Sequence, residues 1–75
     1  MIKFTKQQAM FLNKEIDKNV LADKEISIST EDLTDIFNRC CDIEEEESIK
    51  HQDDEMSERG NIAIKIVDLI HPLLD

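Results

Sequence analysis

The stretch from Asp42 to Leu74 constrains this chain more than any other. It opens as a block of acid, Asp42-Ile43-Glu44-Glu45-Glu46-Glu47, and closes as a nearly unbroken apolar run from Asn61 to Leu74. Carboxylates massed ahead of apolar periodicity are a helix start, because the free N–H groups of a first turn carry partial positive charge. Downstream, Ile49, Met56, Gly60, Ala63, Val67, Ile70 and Leu74 keep a near-heptad stripe that Asp53 interrupts. Gly60-Asn61 offers a break and a new cap, but the stripe passes through in phase. The reading is therefore one long helix that begins at Asp42, runs through Gly60 and ends at Pro72.

Its C-terminal half is too greasy for one face. At about 100° per residue, residues 62–74 place their apolar side chains over an arc of roughly 160°. A helix resting on a core needs little more than about 100°. Either helix 1 and the Ile26–Ile28 segment wrap the excess, or a second chain covers it. The second case makes Ile62, Ile66, Leu69, Ile70 and Leu73 an oligomer or partner face and the protein a homodimer. Size favours some such addition, since a chain of 75 residues buries only about 60% of its unfolded surface.

Disulfides do not supply it. Cys40 and Cys41 are adjacent and close no useful loop, and no leader segment is recognisable, so a reducing cytoplasm is expected. No apolar run approaches the roughly 18 residues of a membrane span.

The rest of the chain reads in short helical units. Met1 to Phe4 is a very short strand or a lead-in. Thr5 with Gln8 makes a capping box, and Ala9, Leu12 and Ile16 follow at helical spacing, giving helix 1 over roughly residues 6–19 with Asn19 as its end. Glu25 to Ser29 alternates with period two and can pair residues 26–28 with residues 2–4. Ser29 caps helix 2, roughly residues 30–41, whose face is Leu33, Ile36, Phe37 and Cys40. The expectation is one mainly α domain over residues 1–75: three helices, the last one long, and room for a minimal two-stranded β-pair.

Charge narrows the function. The net charge of −9 divides as +2 over residues 1–24, −11 over residues 25–58 and zero beyond. Such a chain repels phosphate backbones and anionic membranes and attracts basic partners. Glu31, Asp32, Asp35, Asp42, Glu44, Glu45, Glu46, Glu47, Asp53, Asp54, Glu55 and Glu58 are the candidate partner-binding acids. On two adjacent helices they would imitate the charge rows of a nucleic acid. The bland reading is a solvating face.

Chemistry has little to stand on. The acidic block has no Gly at the sixth position of a calcium loop, and Glu-x-x-His pairs are absent, leaving only Asp68-x-x-His71. Cys40 suits a core and Cys41 a half-buried site. His51 lies among acids and favours its protonated form. One Gly excludes a phosphate loop. No cofactor, no metal and no catalytic activity are expected. The expected role is a small acidic inhibitor or adaptor on a basic, nucleic-acid-handling protein, resembling phage and mobile-element inhibitors in size and charge only. A structural helical homodimer or assembly subunit is the alternative.

Overall fold

The computed structural model describes residues 1–50 and 57–74. Strand β1 (Ile2–Lys3) leads into helix α1 (Lys6–Phe11), which widens into a π-helical turn, Leu12–Ile16. Strand β2 (Glu25–Ile26) follows, then α2 (Thr30–Lys50) and α3 (Glu58–Leu74). The mainly α architecture with three helices and a minimal two-stranded sheet is the one expected.

Local chemistry explains the starts. Thr5 Oγ1 accepts from the Gln8 N–H (3.1 Å) while Gln8 Oε1 accepts from the Thr5 N–H (3.0 Å), which is the capping box. Ser29 Oγ accepts from the Asp32 N–H at 3.1 Å and starts α2. Ser57 Oγ accepts from the Gly60 N–H at 3.1 Å and starts α3. Each cap satisfies a donor that the helix itself leaves orphaned.

The ends and boundaries differ from expectation in four places. Helix 1 stops at Ile16, not Asn19. Asp17 takes the left-handed conformation (φ 61°), and the N–H groups of Asp17 and Lys18 both donate to the Leu12 carbonyl. Asp pays little for that conformation because its short polar side chain bonds locally. The strand partner of residues 2–3 is 25–26, antiparallel with Ile2 opposite Ile26, and Phe4 bridges to Ala22.

The third difference is the largest. No helix begins at Asp42: α2 runs straight through it, and the last helix begins at Glu58. The side-chain stripe decides this, because Leu33, Ile36, Cys40 and Ile43 stay buried along one continuous face. That burial outweighs a cap signal that needs no burial at all. The expected continuous passage from Asp42 through Gly60 does not hold: Gly60 lies in the first turn of α3, whose start Ser57 caps three residues before it. Fourth, Pro72 does not end α3, which continues to Leu74. Late in the last turn a missing N–H costs a single intrahelical bond.

α2 and α3 pack antiparallel. Phe37, early in α2, lies 6.1 Å from His71, late in α3, while Glu47 and Arg59 meet at the other end. The sheet and α1 close over this pair. Phe4, Leu12, Ile36, Cys40, Ile66 and Ile70 are the most completely buried large side chains, each aliphatic or aromatic one worth about 1.5–3 kcal/mol of burial.

Candidate interaction face

The buried stripe of α2 leaves an opposite face in water. At about 100° per residue, Glu31, Asp35, Asp42, Glu45 and Glu46 fall within an arc of roughly 100°, spread along about 20 Å of axis. Exposed Ile49 lies near the middle of that arc (62% accessible). Asp32 lies at one edge of it, while half-buried Glu44 sits beside the buried stripe, outside the face.

Its N-terminal end is neutralised within the chain. Lys18 Nζ reaches Asp32 at 3.2 Å and Asp35 at 3.3 Å, and Arg39 Nε reaches Asp35 at 3.4 Å. The Asp32 and Asp35 hydrogen bonds raise the Lys18 pKa, and the Lys18 bond lowers that of Asp35. Lys50 pairs with Glu46 at 3.1 Å. Among the described residues, Glu31, Asp42, Glu44 and Glu45 have no ion pair.

Glu47 does not belong to this face. It continues the apolar stripe of α2 and is 6% exposed. Its carboxylate accepts from Arg59 Nη1 at 3.0 Å. Arg59 also donates from Nε to Glu15 of the π turn at 2.9 Å, its Nη2 lies at the same distance from that carboxylate, and Nη1 approaches Glu46 at 3.8 Å. One guanidinium thus joins α1, α2 and α3. The bonds to Glu15 and then Glu47 raise the Arg59 pKa. A carboxylate interposed on a hydrophobic stripe was the signal that this cluster existed, and the assumed break at Asp42 concealed it.

Of the remaining acids, Asp53, Asp54 and Glu55 lie outside the described residues, as do His51 and Met56 of the sequence reading. Glu58 is exposed and accepts from Gln7 Nε2 at 3.1 Å.

The apolar candidates separate. Ile66 and Ile70 are core, each 0% exposed between the helices. They are unavailable to a second chain because α2 and α1 already cover them. Ile62 and Leu69 are half-buried at the core edge, and Leu73 is 44% exposed. The chain itself wraps most of the wide arc.

Between α1 and the start of α3 lies a groove of about 800 Å³. Met10, Phe11 and Ile62 line it together with the charged pairs Lys14 and Arg59, Glu15 and Glu58. Met10 is 64% exposed. No spacing in the sequence marks this groove, because it forms only where α1 docks beside the start of α3.

The cysteines lie as expected. Cys40 is buried, and burial pushes its thiol up to about 12. Cys41 is half-buried and also raised, first by burial and then by Glu44 and Asp42. Among the described residues no group of His, Cys, Asp and Glu has metal-holding geometry, and His71 lies against Phe37. No described helix is long and apolar enough to cross a membrane.

Fold and face together define a small α-helical domain with one polarised, acidic helix surface. The chain matches no protein-family model, no curated protein and no solved structure.

Proposed function

We propose that this protein is a non-catalytic cytoplasmic binding module. It docks through the outer face of α2 on a basic, nucleic-acid-handling protein, as an inhibitor or adaptor. The observation that carries the reading is the set of exposed carboxylates without ion pairs on one side of a single helix, Glu31, Asp42 and Glu45. Solubility alone does not call for such a concentration on one side. Fixed on a helix, the carboxylates need no backbone ordering on binding, and a groove of Lys and Arg would meet them as it meets phosphates. The long-range field speeds encounter, and the contacts set orientation.

The test is capture from a lysate of the source cells with wild-type bait and with a Glu31→Lys, Asp42→Lys, Glu45→Lys variant. These positions are exposed, so the fold tolerates reversal. The expected result is a basic protein held by the wild type alone, released by high salt and by excess duplex DNA. Identical captured sets on both baits, or retention indifferent to DNA, would refute the reading.

A further inference from the structure

We propose that the groove between α1 and α3 docks a second copy of this chain. That copy seats Ile49 of its α2 against Met10, with Glu45 and Asp42 on the Lys14 side. Three observations lead here. First, among the described residues Lys18 is the one lysine of the first 24 that reaches the acids of α2. Lys6 and Lys14 have no ion pair among the described residues. Second, those two lysines stand four residues to either side of Met10, and Met10 is 64% exposed beside the groove of about 800 Å³. A flexible thioether at the mouth of an apolar groove suits a docking contact. Third, the complementary surface exists on the same chain: Ile49, 62% exposed, with Glu45 four residues and Asp42 seven residues before it.

Placement makes the exchange reciprocal. Arg59 touches Glu15 of the groove wall and Glu47 near the end of α2. Groove and Ile49 therefore lie at the same end of the helix pair. A two-fold axis past that end lets each copy offer Ile49 to the other's groove, so the assembly closes as a dimer. The expected face of α3 plays no part, since Ile66 and Ile70 are core.

The net charge of −9 opposes association, and range separates the two effects. At ~0.1 M salt the Debye length is about 10 Å. Repulsion across a molecule 38 × 25 × 19 Å in extent is then largely screened, while contact pairs are not. At ~1 M salt the length is about 3 Å and the contacts weaken too. The contact is small, so association is expected to be weak.

Sedimentation equilibrium over a concentration series decides. At moderate salt the wild type rises from its monomer mass of 8.7 kDa toward twice that value, and it returns at high salt. Lys14→Glu and Glu45→Lys each weaken association roughly tenfold, the size expected for close charge pairs. An equimolar mixture of the two variants recovers it, because each supplies the charge the other now needs. Both positions are exposed, and far-UV circular dichroism verifies folding. A wild type monomeric at every concentration, or a mixture no tighter than either variant, overturns the proposal. Lys14→Glu retains the acidic face, so loss of self-association in that variant is distinguishable from loss of the basic partner.

Discussion

Removing the guanidinium of Arg59 is the most informative single change to the fold. In Arg59→Ala, Glu47 keeps its place on the buried face of α2, its side chain 8% exposed, and loses its 3.0 Å partner on α3. Breaking a fully buried pair costs about 3–5 kcal/mol. Arg59 is 32% and Glu15 25% exposed, and both Glu15 and Glu46 can turn to water. The expected loss is therefore lower, about 2–3 kcal/mol. A domain of 75 residues has about 4–11 kcal/mol in total. The midpoint of thermal unfolding should then fall by roughly 10–20 °C. Urea unfolding followed by circular dichroism gives the free energy directly. The companion variant Arg59→Met, Glu47→Leu replaces the pair with apolar volume and should recover most of the loss, because a buried ion pair contributes little over a packed hydrophobic equivalent. A loss below about 0.5 kcal/mol for Arg59→Ala would put the cluster among ordinary surface pairs and refute the idea that it fastens three helices.

Two further outcomes follow from burial. Ile66→Ala and Ile70→Ala should each cost about 2–5 kcal/mol in urea unfolding, while Leu73→Ala, 44% exposed, should cost well under that. Equal costs at all three positions would contradict the assignment of the core. Iodoacetamide at neutral pH should label neither thiol quickly in the native protein and Cys41 before Cys40, with both labelled in denaturant. Because burial raises the Cys40 thiol from 9.0 to about 12, its contribution to stability is whole below pH 9.0. It is lost as pH rises through that interval, which alkaline unfolding would reveal.

The sequence was most readable where one side chain performs a local task. Thr5 and Gln8 close their capping box and Ser29 caps α2, both from short-range chemistry. It misled where two local signals competed. Asp42-Ile43-Glu44-Glu45 has the letters of a cap, yet Cys40 and Ile43 are three residues apart on one stripe, and packing of that stripe on α3 holds the helix straight. The same error made the acid block look uniform and hid Glu47. The wide apolar arc of α3 was read correctly as an arc, but its depth on either side was not. Which edge a neighbouring helix covers depends on how α1 docks, and no spacing within α3 encodes that.

Most tertiary contact in this molecule is between α2 and α3, while α1 and its π turn rest on them through fewer neighbours. Opening free energies follow such differences. Amide protons of the helix pair should therefore exchange only on global unfolding, whereas those of α1 exchange through smaller excursions. One wall of the Met10 groove thus belongs to the first part of the chain to open. Any molecule seated there stiffens that wall, and slowed exchange in α1, with α2 and α3 unchanged, is how occupancy would register.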